Sequence, residues 1–350
     1  MNKNFWSAVF LLAGTTIGAG VFGIPYATAR VGYLIGLVWL VGLSILTILI
    51  NLAYAVVISR TDHHQPRQFV GYAQYYLGRG GKITALFIIL FGLWGTVLAY
   101  LIGSGRFLAL IFNAGDAEHL FSILVFVFMA IAVGLQVRLV ARLEGWFTLG
   151  MILVIALVAW SGWKVVDTGN LLATPTISSW QTFLLPYGVI MSALTGYMIL
   201  PEMRRLYPQG LGRAVVGGTL VPVLVYLVFQ FVIVGVSGSG TTEEAIQGLI
   251  PYLDAGIVRF GALFGILAML SSYLTLSYVI KDTFLNDYHW PPVRAWAFAV
   301  VPPFIFYLIG LRSFVTALEI TGVWLGTLSA GMIFLMFVRS FGYNTDHGRQ

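Results

Sequence analysis

"AGTTIGAGVFGIP" (residues 13–25) sets four glycines and a proline into one apolar stretch. Within it, Gly18-Ala19-Gly20-Val21-Phe22-Gly23 matches G-x-G-x-x-G, the pattern with which a strand–turn–helix unit cradles a dinucleotide. That reading requires a strand before the glycines and an acidic residue about 20 positions after them. The first Asp or Glu in the chain is Asp62, beyond a second long apolar stretch. The glycines therefore serve another purpose, and the surrounding composition says which.

Of the 350 residues, 59% are hydrophobic and 9% are charged. An ordinary soluble domain carries about 25% charged residues. With a mean hydropathy of +0.91, too little polar material remains to cover a soluble globule, and the chain reads as an integral membrane protein. The net charge of +6 then bears on topology before nucleic acid, and no nucleic-acid partner is expected. There is no cysteine, so disulfides and thiolate metal sites are excluded. "ATA" at 27–29 is a faint match to a signal-peptide cleavage site. The run before it is too long for an h-region and carries the glycines and Pro25, so it reads as a first span.

A helix needs about 20 apolar residues to cross the hydrocarbon. Ten segments qualify, near 5–29, 33–59, 83–112, 119–137, 145–164, 182–203, 214–237, 256–283, 293–310 and 313–338. Ten crossings put both termini on one side. Fourteen Lys and Arg residues fall on that side, against Arg30, Lys164, Arg259 and Arg312 on the other. An inner membrane with both termini cytoplasmic is the expectation. Two connections look structured. "QPRQFVGYAQYYLGRGGK" (65–82) has Pro66 at a helix start and Gly78 at its stop, with Phe69, Val70, Ala73, Tyr76 and Leu77 on one face toward the inner surface. "TTEEAIQGLIPYLDAG" (241–256) opens with a capping box, Thr241 to Glu244, and reads as a short outer helix or lid.

The helix count implies an internal symmetry. Residues 1–164 hold five spans, 165–181 form an outer connecting loop, 182–340 hold five more, and 341–350 are a cytoplasmic tail. An odd number per half inverts the second half in the membrane. Each half opens on an interrupted segment: "AGTTIGAG" (13–20) in the first span, and "SALTG" (192–196) followed by Pro201 in the sixth. Such interruptions at matching positions are the best sequence pointer to a transporter binding site. Gly14 and Gly18 also fit the small-xxx-small spacing of close helix packing. A break frees backbone groups that are tolerated only where they line a cavity or bind something. N–H groups opening the second half-helix suit a carboxylate, and carbonyls closing the first suit a cation. An amino acid zwitterion with a co-transported ion matches both.

With these residues in place, the chain resembles the LeuT-type amino acid–polyamine–organocation superfamily, and within it the aromatic/hydroxy amino acid and amino acid/auxin permeases. "GTTIGAGVFGIPYA" (14–27), "AYLIGSG" (99–105), "PYGVIMSALTGYMILPEMR" (186–204) and "AMLSSYLTLS" (268–277) are similar to the family's first, third, sixth and eighth spans. The resemblance implies an all-α fold of ten transmembrane helices in a 5+5 inverted repeat, with helices 1 and 6 broken. It implies N–H groups of Gly18, Ala19 and Gly20 for the substrate carboxylate. Carbonyls of Ser192, Ala193, Leu194 and Thr195, with the Thr195 hydroxyl, would take the ammonium group, and Tyr100 would form a pocket wall. A sodium ion would be held by Gly14, Ile17, Ala268, Ser271 and Ser272. Serines in membrane helices also bond back to their own backbone, and proton-coupled relatives carry hydroxyl pairs here too, so Na⁺ and H⁺ both stay open. A divalent-metal transporter of this fold would want Asp and Asn in the first break and Met or His in the sixth. This chain has Thr15, Ile17, Leu194 and Thr195 there.

Charges inside spans are functional candidates by default. Arg106 and Glu319 both fall near the outer ends of their spans, and one reading pairs them across an outer vestibule. The other has Arg106 snorkelling to the surface and Glu319 protonated or partnered elsewhere. Glu202, beyond the sixth-span break, is either a proton carrier or inner latch, or an interfacial ion pair with Arg204 and Arg205. His63-His64 reads as solvated. No hydrolytic triad, zinc-ligand pattern or P-loop is present, so neither enzyme chemistry nor ATP-driven pumping is supported. The expectation is a symporter importing an amino acid under a Na⁺ or H⁺ gradient, with no other cofactor and no obligatory protein partner. Phe91, Trp94, Tyr100 and Tyr187 point to an aromatic or bulky apolar substrate. The alternative is a membrane receptor of the same fold that binds an amino acid without moving it.

Overall fold

A computed structural model describes residues 3–61, 68–135 and 139–342. The His63-His64 pair, Pro66 and residues 343–350 lie outside the described residues. The elements are α1 (Lys3–Thr16), α2 (Gly20–Val31), α3 (Tyr33–Arg60), α4 (Phe69–Ile111), α5 (Glu118–Gly134), α6 (Leu139–Gly162), α7 (Thr168–Leu172), α8 (Trp180–Ala193), α9 (Leu200–Leu206), α10 (Leu211–Ser237), α11 (Ala255–Asp282), α12 (Pro292–Leu308), α13 (Phe314–Thr321) and α14 (Ser329–Gly342). Among the described residues there is no strand.

Seven helical stretches are long and apolar enough to cross a membrane alone, and α1 with α2 make an eighth crossing bent by 60°. The shorter apolar helices Leu149–Val165 and Pro292–Leu308 bring the number to ten. Large apolar side chains such as Phe10, Val38 and Trp160 stand exposed on the outside of the bundle. In water they would be a liability; against lipid tails they cost nothing.

Two interruptions organise the interior. The first crossing turns sharply between Thr16 and Gly20. The sixth leaves the α-helix after Ala193, passes through a 3-10 turn at Tyr197–Ile199 and resumes as α9 without a comparable bend. The apolar core divides at this level. One cluster holds Ile17, Phe22, Leu194 and Leu325, and the other holds Leu12, Tyr54, Tyr197 and Met332. The breaks therefore lie at the seam between two separately packed cores. Across the seam α1 packs on α10 and α9, while α2 packs on α8 and α10.

The tenth crossing has its own irregularity, a π-helical turn at Gly322–Leu328 between α13 and α14. Here the sixth and tenth crossings touch backbone to backbone. A Cβ on Gly322 would lie 1.8 Å from the Gly188 carbonyl oxygen, and one on Gly188 would lie 3.0 Å from the Glu319 backbone. Neither position has room for a side chain.

The two connections differ from each other in outcome. Around Gly78 the backbone leaves the helix at φ 72°, as the stop signal implied, and then continues as the third crossing. The face buried before that turn is Phe69, Tyr72, Ala73 and Tyr76, set against Tyr54 and Tyr197, while Val70 and Leu77 are only half-buried. In 241–256 the expected capping box does not form. The Thr241 hydroxyl donates to the Gly238 carbonyl at 2.7 Å, Glu244 turns inward, and the segment is built from tight turns and the 3-10 turn Gln247–Leu249. The segment nonetheless packs inward as a lid would, with its own Ala245, Ile246 and Leu249 fully buried.

Candidate functional site

The first break is drawn by its glycines. Ile17 donates the last helical bond to Ala13 at 2.8 Å, and the Gly18 N–H turns back to the Thr16 carbonyl at 2.9 Å. The α2 helix then starts with Val21 and Phe22 donating to the Gly18 and Ala19 carbonyls. The Gly18 N–H, expected to face a carboxylate, is thus occupied within its own turn. Among the described residues the Ala19 and Gly20 N–H groups meet no backbone acceptor. They open α2 at its positive end, where an anion is favoured.

The second break closes against the first. A Cβ on Gly20 would lie 2.8 Å from the Cα of Ala193, and one on Gly196 would lie 2.3 Å from the Thr16 hydroxyl. Glycine at these two points lets the backbones meet. Leu194 and Thr195 donate to the Ile190 and Ser192 carbonyls at 2.9 and 3.3 Å. The Thr195 hydroxyl donates to the Met191 carbonyl at 2.7 Å, which leaves its lone pairs to accept. Tyr100 of α4 brings its hydroxyl beside Gly18, 3.4 Å from where a Cβ there would stand. Ser192, Thr195 and Gly18 are half-buried, whereas Ala19, Gly20, Ala193 and Leu194 are buried.

One residue that positions the two breaks, behind the groups offered to a substrate, was not found in the sequence. The hydroxyl of Tyr226, on α10, lies 2.8 Å from the Thr16 carbonyl and 2.9 Å from the Ala193 carbonyl, the last residues of α1 and α8. Of the four expected aromatic pocket residues, three are engaged elsewhere. Trp94 donates to the Phe298 carbonyl and packs on the Phe298 ring, Phe91 stacks on Trp324, and Tyr187 bonds Thr327 at 2.7 Å. Tyr100 is the one placed at the break.

The expected ion ligands are only partly assembled. Gly14 and Ile17 belong to the first break, but α11 packs chiefly on α4 and α6. The Ser271 hydroxyl donates back to the Ala268 carbonyl of its own helix at 3.0 Å, which leaves its lone pairs to accept, and Thr275 donates to the Ser271 carbonyl at 3.1 Å. Ser272 is half-buried.

Arg106 does not pair with Glu319. Its Nη1 meets Glu243 at 2.7 Å and also Glu244, its Nε lies 3.7 Å from Glu118, and its Nη2 donates to the Arg312 carbonyl at 3.1 Å. Glu243 in turn accepts from the Ser313 hydroxyl at 3.0 Å and from the Phe314 N–H, the first of α13, at 2.9 Å. A carboxylate is favoured at such a helix start. Burial pushes the Glu244 carboxyl above the ordinary glutamate range, and Arg106 opposes that shift. One guanidinium thus holds the lid to the third crossing and, through Glu243, to the start of the tenth. The sequence distance between Arg106 and these partners hid the contact. Glu319 is half-buried against Gly188 with no hydrogen-bond or ion partner among the described residues. Glu202 pairs with Arg205 at 2.7 Å and accepts from Gln68 at 3.1 Å, while Arg204 reaches the Pro208 carbonyl. Glu202 is thus ion-paired with one of the two expected arginines, both side chains partly exposed, and such pairs contribute little.

A ten-crossing bundle with two interrupted helices meeting at its centre is the geometry of a permease, and comparison with known proteins agrees. The model of the tryptophan/tyrosine permease family matches residues 1–343. The chain belongs to that family. This permease is 27% identical over 354 aligned residues to the tyrosine-specific transport system 2 of Haemophilus influenzae, covering 92% of this chain and 84% of the relative. It is 24% identical to the tryptophan-specific transport protein of Pseudomonas aeruginosa, covering 89% and 81%. Among solved structures, MhsT in complex with L-phenylalanine superposes with a TM-score of 0.65 at 17% identity, covering 95% of the permease and 88% of that chain. The fold is therefore the LeuT-type fold, and the protein is a membrane permease, not an enzyme.

Proposed function

We propose that this permease is a secondary transporter that imports an aromatic amino acid, tyrosine or tryptophan, by alternating access under a Na⁺ or H⁺ gradient. The observation that carries the reading is the meeting of the two breaks. Free N–H groups of Ala19 and Gly20 stand at a helix start, beside carbonyls at the ends of two other helices, in the seam between two apolar cores. A zwitterion is the solute whose two charges fit those two kinds of group. The Ser192, Leu194 and Thr195 oxygens supply further acceptors for its ammonium group, and Tyr100 orients it from α4. Tyrosine and tryptophan are suggested by the specificities of the Haemophilus influenzae and Pseudomonas aeruginosa relatives, not by an aromatic lining. The distribution of Lys and Arg supports an outward lid face and cytoplasmic termini. On that orientation the Arg106 cluster is an outer gate.

The test is uptake of each of the twenty labelled amino acids into proteoliposomes under separate Na⁺ and H⁺ gradients. Accumulation of tyrosine or tryptophan under one gradient is expected. Saturable binding with no accumulation under either would replace the transporter with a receptor.

A further inference from the structure

Tyr226 is fully buried, and one hydroxyl faces two helix ends. The last four carbonyls of a helix have no intrahelical donor, and that end carries about half a negative charge. Here the ends of α1 and α8 converge on one point inside the bundle. The pair attracts a donor or a cation, and the hydroxyl has a single proton to offer. The Thr16 carbonyl has a second donor in the Gly18 N–H at 2.9 Å. Among the described residues the Ala193 carbonyl is served from outside its own helix by Tyr226 alone.

A carrier that moves a solute one way must also return empty. In the loaded state the substrate's ammonium group brings three donors to these carbonyls. In the empty state nothing from the substrate remains, and without Tyr226 the Ala193 carbonyl would have to be carried through the transition with no donor from outside its helix, while the Thr16 carbonyl kept only the Gly18 N–H, which is costly. We propose that Tyr226 is a placeholder donor. Its O–H satisfies the Thr16 and Ala193 carbonyls while the site is empty, and it yields the Ala193 carbonyl to the ammonium group when substrate binds. The hydroxyl then keeps the Thr16 carbonyl, and nothing covalent changes. Tyr226 is thus a positioning residue for the return of the empty carrier. The inference rests on the transport reading above.

Exchange and net uptake separate this role from that of a structural strut. Exchange of external labelled substrate for internal unlabelled substrate needs only the loaded carrier, whereas net uptake also needs the empty return. The experiment compares wild type and Tyr226→Phe in proteoliposomes with labelled tyrosine and, in parallel, labelled tryptophan. Phenylalanine keeps the ring and removes only the hydroxyl. Expected for Tyr226→Phe is a fall of ten-fold or more in net uptake, with exchange within two-fold of wild type and no rise in the KM for exchange. Equal loss of both activities, or loss of neither, overturns the proposal. Retained exchange is its own proof of folding. If the Phe variant does not reach the membrane, Tyr226→Leu carries the same expectation and the same refutation. Wild type inactive in both assays overturns the transport reading instead, a failure distinguishable from that of the variant.

Discussion

Replacing Arg106 by Gln will loosen the lid, by an amount the site itself bounds. The Glu244 side chain is 3% exposed, and Arg106 and Glu243 are each 21% exposed, so solvent screens this cluster little. Removing one partner of a buried pair costs roughly 3–5 kcal/mol, because the other charge is left uncompensated. Glu244 can escape that penalty by taking up a proton before the lid closes. At pH 7 that costs about 3.7 kcal/mol, being about 2.7 units above the ordinary glutamate value, and corresponds to roughly a 500-fold shift toward the open lid. Glu243 stays on the Ser313 hydroxyl and the Phe314 N–H and adds less. The sign with pH follows. A carboxyl raised by burial in the closed lid favours closure below the ordinary glutamate range, and that contribution is lost as pH rises. At pH 5 the same arithmetic leaves about 1 kcal/mol, or roughly five-fold. The chain has no cysteine, so a single Leu249→Cys, fully buried in the lid, reports its opening through maleimide labelling in nanodiscs. Against the Leu249→Cys parent at each pH, Arg106→Gln should label roughly 100-fold faster or more at pH 7 and only several-fold faster at pH 5. An unchanged rate, or a rise that does not shrink on acidification, would refute the reasoning.

Three further outcomes follow from the site. Gly20→Ala drives a Cβ to 2.8 Å from the Ala193 backbone, so uptake should fall at least ten-fold with normal membrane insertion, and Ala193→Gly, which removes one of the three contacted atoms, should recover part of it. Gly18→Leu should abolish transport while the protein still inserts; near-normal uptake would remove the argument that the first break holds the substrate. The charge swap Arg106→Glu with Glu319→Arg should transport no better than either single variant, because the two residues have different surroundings; recovery in the double variant would show that they meet.

The fold was legible because its decisive signals are local. Gly18 and Gly20 within one apolar run, and Gly196 followed by Pro201 within another, mark the two breaks, although Gly14 and Pro25 proved to lie inside α1 and α2, and ten apolar runs leave little choice of architecture. What could not be read depended on residues distant in the chain. Arg106 meets Glu243 and Glu244 across 137 and 138 positions, whereas Thr241 and Glu244 sit at the spacing of a local capping box, and the local pattern was the one visible. Burial of Glu244 on Arg106 outweighed that box. Tyr226 is one of seventeen tyrosines, and nothing in the flanking residues of α10 distinguishes one that meets two helix ends from one that fills a core. Trp94 and Phe91 lie on the third crossing with Tyr100, but their rings face α12 and the π-helical turn. Propinquity along a helix did not say which side each would present.

The backbone contact between Gly188 and Gly322 has a consequence for how such a chain can diverge. A Cβ on Gly322 would meet the carbonyl oxygen of residue 188 whatever side chain stands there, and one on Gly188 would meet Glu319, so exchange of one glycine is not relieved by exchange of the other. A change at either codon is blocked by backbone atoms of the facing crossing, and a paired change meets both obstacles at once. Any homologue that retains this crossing should carry glycine at both positions. The pair is therefore a two-letter diagnostic, readable without coordinates, for whether the sixth and tenth crossings of a distant sequence still touch in this way.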